Sequence, residues 1–205
     1  MASYLGMRGA MRALEAHLRR RLPAGWRADA NPLMMNPPPR VEVLGSAALA
    51  ASLTGNLLGL YAYRVVVDPL GRNRPLTVSG ANGNVTHAEL PVNLHLLVIA
   101  HGTSAQHELD LLSWAMIELA NHVHLDAADL DDGDPQWGRE ESLAVLPMEL
   151  SNEDLMRLWD QFEADYTLAV PYEIRTVRLR LLPEGSEGPA VGTRAFPLGA
   201  LGDRP

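Results

Sequence analysis

The stretch that most constrains the fold is Val92–Ala100, VNLHLLVIA. Its leucines, valines and isoleucine read as a β-strand. The last part, Leu96-Leu97-Val98-Ile99-Ala100, has no polar member. Successive side chains of a strand point to opposite faces, so this end of the strand is buried on both of them. Two further strands are legible. Leu57–Asp68, LLGLYAYRVVVD, is β-branched and aromatic. It runs into Asp68-Pro69-Leu70-Gly71, which places Asp, Pro and Gly where a type I turn prefers them. The third, VPYEIRTVRLRLL from Val170 to Leu182, changes the phase of its alternation between Ile174 and Val177. That change predicts a β-bulge or burial on both faces.

Three segments read as helices. Near the N-terminus Met7, Met11, Leu14, Leu18 and Leu22 share one face, and Arg8, Arg12, Glu15 and Arg19 fall elsewhere. Arg19, Arg20 and Arg21 favour the dipole of the last turn, and Pro23 ends the helix. The stripe lacks a bulky aromatic wedge, so it is expected in the core and not on a membrane. A second helix is capped by Thr103 with Gln106, or by Ser104, and Leu109, Leu112, Met116, Leu119 and Val123 are its expected buried face. The third, LSNEDLMRLWDQF from Leu150 to Phe162, opens with Ser151 and Asp154 in capping-box spacing. Leu150 and Leu155 flank the cap as a hydrophobic staple, and Leu155, Leu158, Trp159 and Phe162 form one stripe.

Between these elements, ANPLMMNPPPR is an irregular connector, because Pro37, Pro38 and Pro39 supply no amide donors. LDAADLDDGDPQWGRE reads as an acidic loop. From Pro183 the chain is rich in Gly and Pro, an extended arm or a tail disordered in isolation. The organisation expected is one domain over residues 1–182 followed by an arm over 183–205.

Composition removes several functions. The chain has 205 residues and no cysteine, which excludes disulfides, thiol catalysis and thiolate metal sites and fits a cytoplasmic origin. A net charge of −8 argues against a nucleic-acid binder. All 17 basic residues are arginine. Genomic base composition accounts for that, with bidentate carboxylate contacts at interfaces as the functional reading. No apolar run approaches a membrane span, so no membrane insertion is expected.

The chemistry-bearing residues form no recognisable site. His122-x-His124 and His101-x5-His107 are the metal-like spacings, but i and i+2 diverge on a helix, and no H-E-x-x-H occurs. Asp126, Asp129, Asp131, Asp132 and Asp134 fail the EF-hand pattern, since Gly133 falls at position five counted from Asp129. There is no G-x-S-x-G elbow, and without lysine there is no P-loop. The expectation is no enzyme, no catalytic residue, no cofactor and no metal, with melting unchanged by chelator.

Three blocks in order carry a resemblance. LGLYAYRVVVDPLGRNRPL, LPVNLHLLVIAHGTSAQHELDLLSWAMIEL and LSNEDLMRLWDQFEADYTLAVPYEIRTVRL together resemble the N-terminal domain of tail-terminator, or cap, proteins of phage-like extracellular contractile injection systems. The likeness covers about residues 3–182. It departs in carrying LHLLVIAHG where relatives usually have a tyrosine in the strand, and in stopping soon after the domain. The resemblance implies an α/β (α+β) fold with helices against a mixed β-sheet, assembled as a ring expected to be a homohexamer. The ring would sit at the baseplate-distal end of the particle, against the last tube ring and the last sheath ring. In a closed ring different faces of each subunit must match. Arg72, Asn73 and Arg74 in one turn, and Asp131, Asp132 and Asp134 in the acidic loop, are charge-complementary candidates for those faces. Val191, Phe196 and Leu198 are candidate anchors of the arm. The competing readings are an adaptor, or a small-molecule-binding α/β domain with an unrecognised cleft.

Overall fold

The computed structural model describes residues 4–26, 33–68, 77–79, 85–87, 89–130, 137, 141–162 and 166–180. In chain order the elements are α1 (Gly6–Arg21), a 3-10 turn (Ala24–Trp26), β1 (Arg40–Val43), α2 (Ser46–Ala50) and β2 (Leu57–Val67). They continue with β3 (Thr77–Ser79), β4 (Val85–His87), β5 (Glu89–His101), α3 (Ala105–Asn121), β6 (His124–Leu125) and α4 (Ala127–Leu130). β7 (Leu143–Pro147), α5 (Asn152–Phe162) and β8 (Ala169–Arg180) complete the series.

Six strands form one sheet in the order β1-β2-β5-β8-β7-β6, and β3 and β4 pair apart as a two-stranded ribbon. β1 runs parallel to β2, and the other neighbours are antiparallel, so the sheet is mixed. The doubly apolar strand β5 lies between the long strands β2 and β8. Its Leu94, Leu96, Val98 and Ala100 pack with Leu14 and Leu18 of α1 and Leu111, Ala115 and Leu119 of α3. Its Leu97 and Ile99 point the other way, into a second cluster with Leu49 of α2 and Trp159 of α5. Helices therefore cover both faces, which is what a strand without polar alternation requires.

Both long pairings are irregular at one point. Thr176 has φ +62°, and the β5–β8 register jumps from Leu94↔Ile174 to Val92↔Val177. Two residues of β8, Arg175 and Thr176, thus face Asn93 alone, and the Asn93 Oδ1 accepts from the Thr176 N–H at 2.9 Å. This is the bulge that the phase change between Ile174 and Val177 predicts. Tyr63 is the extra residue where the β2–β5 register shifts between Ala62 and Arg64. Gly59 lets Leu44 lie against β2: a Cβ there would stand 2.4 Å from Leu44 Cδ1.

Local signals mostly agree with the structure. Met11, Leu14, Leu18 and Leu22 are buried as α1 expects, with Met7 packed at the margin. Ser104, and not Thr103, caps α3, its Oγ accepting from the His107 N–H at 3.3 Å. At α5 the Asp154 N–H donates to Ser151 Oγ at 3.1 Å, and the serine hydroxyl donates to Asp154 Oδ2 at 2.7 Å.

Two expectations are corrected. α3 buries Leu111, Leu112, Ala115 and Leu119, while Leu109 and Met116 face outward and Val123 lies beyond the helix. The helix is apolar on nearly every side, so several stripes satisfy the same spacing. The segment read as an acidic loop begins on the last residue of β6 and contains α4, and within α4 Asp129 turns inward toward α1. Of the Asp68–Gly71 turn, only Asp68 lies within the described residues.

Candidate interaction surfaces

The nine residues proposed from sequence for interfaces (Arg72, Asn73, Arg74, Asp131, Asp132, Asp134, Val191, Phe196 and Leu198) all lie outside the described residues. The described residues present other surfaces. On α3 the outward face carries Leu109 (57% exposed), Met116 (41%) and Ile117 (61%). These occupy positions i, i+7 and i+8 of one helix face, with Ser113 exposed between them. An exposed apolar stripe on a rigid helix is a marker of protein–protein contact. The misassigned face of α3 is therefore the informative one: its surplus leucine, methionine and isoleucine have no core to fill.

A second surface is a groove of about 560 Å³ between α1 and the β1–β2 side of the sheet. Met7, Met11, Val43 and Val65 give it an apolar floor, and Arg8 and Arg12 stand on its wall. β1 is an edge strand, so backbone donors and acceptors border the groove.

A third place is polar. The last turns of α1 are tied to neighbouring helices by Arg20 to Asp129 at 2.5 Å and Arg21 to Glu118 at 3.3 Å. Beneath them His17 is 2% exposed, and burial pushes its pKa below the usual histidine value, against the opposing pull of Asp129. His122, at the end of α3, approaches Glu118 at 3.0 Å, whereas His124 is exposed on β6. His101 Nδ1–H donates to the Gly55 carbonyl, 2.9 Å away, and His107 Nδ1 sits 3.0 Å from Thr103 Oγ1. Neither sequence-spaced pair converges as a pair. The residue that joins His122 is His17, too distant in sequence for any spacing rule to link them.

The family model described as the Pvc16 N-terminal domain matches residues 10–193. The chain belongs to the Pvc16 N-terminal domain family. The match takes in the outward face of α3, the polar cluster and all of the groove's lining except Met7 and Arg8. Among solved structures, the Pvc16-family fold seen here is similar to the sheath/tube terminator, in its extended state, of the extracellular contractile injection system PVC. The TM-score is 0.56 at 15% identity, over 96% of this chain and 65% of that one. It is also similar to the tube-terminating cap of the anti-feeding prophage, with TM-score 0.48 at 16% identity, over 69% of this chain and 49% of that one. The chain thus spans about two thirds or less of the length of these structures. Comparison with curated proteins gives no match. At such identities the first likeness establishes the fold, a mixed sheet between helices.

Proposed function

We propose that this chain is a tail terminator, a structural cap that ends tube and sheath polymerisation at the baseplate-distal end of a contractile injection particle. The observation that carries the reading is the family match over residues 10–193, supported by a fold like that of a sheath/tube terminator. A cap works by surface complementarity, covering a growing end so that no further ring adds, and it calls on no reaction and no catalytic cofactor. Its partners on this reading are further copies of itself in a ring, expected to be a homohexamer, and the last tube and sheath rings. Assembly takes place in the cytoplasm and the chain then remains part of the particle. Among the described residues no helix is long and apolar enough to cross a membrane.

A closed ring needs contacts that match different faces of successive subunits. The apolar face of α3 supplies one such surface, and the groove beside α1 supplies an acceptor for an extended segment. Residues 183–205 are the segment assigned to bridge subunits, with Val191, Phe196 and Leu198 as anchors. Such a tail spans about 3.3 Å per residue when extended, enough to reach a neighbour. The Arg72–Arg74 turn and the acidic residues Asp131, Asp132 and Asp134 remain charge-complementary candidates for the same interfaces. Deleting residues 184–205 is expected to leave the circular dichroism spectrum and the unfolding midpoint of the monomer nearly unchanged. The same deletion should weaken ring formation or docking on the tail. Rings of normal mass and particles of normal length made with the truncated chain would rule the arm out.

The function itself is tested by position. A gold-labelled copy of the chain should appear at one end of each particle, opposite the baseplate. Label along the sheath, or at the baseplate, would overturn the proposal.

A further inference from the structure

The polar cluster between α1, α3 and α4 has a geometry that neither capping nor ring contact uses. His17 lies on the buried side of α1, and its Nδ1 is 3.4 Å from Asp129 Oδ1. A carboxylate at that distance favours the proton on Nδ1 and leaves Nε2 as a lone-pair acceptor. Nε2 faces Glu118 Oε1 at 3.7 Å; Nε2 is buried without a hydrogen-bond partner, and Oε1 is buried with only the ion-pair approaches of Arg21 and His122 around it. Two acceptors facing each other away from water repel unless a proton or a metal cation lies between them. His122 brings a third ring nitrogen, its Nδ1 standing 3.0 Å from the same Oε1 and 3.2 Å from the Glu118 carbonyl oxygen, so a metal bound there displaces the proton that this nitrogen donates. One ligand atom from each of the three residues lies within 4.8 Å of the others.

We propose that His17, Glu118 and His122 form a binding site for a divalent transition-metal ion of the zinc class, clamping the end of α3 to α1. Zinc bonds to nitrogen and oxygen are about 2.0–2.1 Å long, so neighbouring ligand atoms of a tetrahedral site are about 3.3 Å apart. The two separations to Glu118 Oε1, 3.0 and 3.7 Å, bracket that value. Glu118 and His122 are four residues apart, which puts both side chains on one face at the end of α3. Asp129 on the far nitrogen of His17 is the outer carboxylate that metal-ligating histidines commonly have. Arg21 competes for the same oxygen at 3.3 Å, but it is half-exposed, and an ion pair of that kind is weak and can be displaced toward water. The inference is independent of the terminator reading. It revises the expectation of no metal drawn from spacing, because His17 stands a hundred residues before its partners.

The test uses the full chain, stripped with chelator and titrated with zinc chloride while melting is followed. Specific binding to the folded state alone should bind one equivalent. It should raise the melting temperature by about 5–10 °C at roughly 100-fold excess over Kd. His122→Ala should lose the rise measured against its own metal-free midpoint, and Glu118→Gln should weaken it. His124→Ala, on the exposed strand two residues away, should keep it. Cobalt in place of zinc should give the visible absorption of a tetrahedral site in the wild-type chain and not in His122→Ala. His17→Ala removes a buried side chain and can fail to fold, so the His122 variant carries the decision. No rise in the wild-type chain, or an equal rise in His122→Ala, would overturn the site.

Discussion

Trp159→Ala is expected to destabilise the monomer by about 3–5 kcal/mol, the range for emptying a large aromatic core position. Trp159 is 4% exposed and anchors the cluster that holds α5 and α2 on one face of the sheet. Its ring stands at 80° to Phe162 and 68° to Tyr166, at centroid distances of 6.4 and 6.0 Å, and Phe162 continues the chain to Tyr61 of β2 at 5.2 Å. Removing the indole opens a cavity over Leu97 and Ile99 of β5 in the middle of that cluster. The indole N–H has no hydrogen-bond partner, so Trp159→Phe loses no polar contact and should cost far less than the alanine variant. Denaturant unfolding curves for the two variants check this. A neutral alanine variant that fails to assemble would instead make Trp159 an interface residue.

Asn56→Ala is expected to cost about 1–3 kcal/mol, although it removes only a few atoms. Asn56 is fully buried just before β2. Its side-chain amide donates to the Pro37 carbonyl at 2.7 Å, and its Oδ1 accepts from the Thr103 N–H at 3.0 Å. Its own carbonyl accepts from the Arg40 N–H at 3.0 Å. One residue thus ties the proline-rich connector to the turn that opens α3. Alanine would leave the Pro37 carbonyl and the Thr103 amide without partners. Each such loss costs about 1–3 kcal/mol for a group shut away from water and less here, because Pro37 and Thr103 are themselves exposed residues. Equilibrium unfolding measures the sum, and hydrogen exchange at the Thr103 amide should accelerate more than at amides of β8. A cost below that of an exposed asparagine would mean water replaces the amide.

Much of the architecture is legible because local periodicity and global packing agree. The run Leu96–Ala100 demands cover on both faces, and α1 with α3, and α2 with α5, provide it. The phase change in β8 marks its bulge, and Ser151 and Asp154 mark the start of α5. Where the sequence permits more than one answer, reading fails for a physical reason. α3 is apolar at Leu109, Leu111, Leu112, Ala115, Met116, Ile117 and Leu119, and periodicity cannot rank stripes that all satisfy it. α4 is a single turn held by Leu130 in the core and by Asp129 meeting His17 and Arg20, a contact between segments more than a hundred residues apart. The polar cluster is invisible for the same cause: His17 reads as one polar residue on an amphipathic helix until α1 is laid against α3. Interaction surfaces are harder still, because an outward leucine and an inward one look alike until the core has been filled.

The central claim, that this chain ends polymerisation, is tested most directly by the length distribution of particles from cells that lack it. The account predicts tubes and sheaths of uncontrolled, broadly distributed length, restored to one narrow length when the chain is supplied again. Particles that keep a single narrow length without the chain would contradict it.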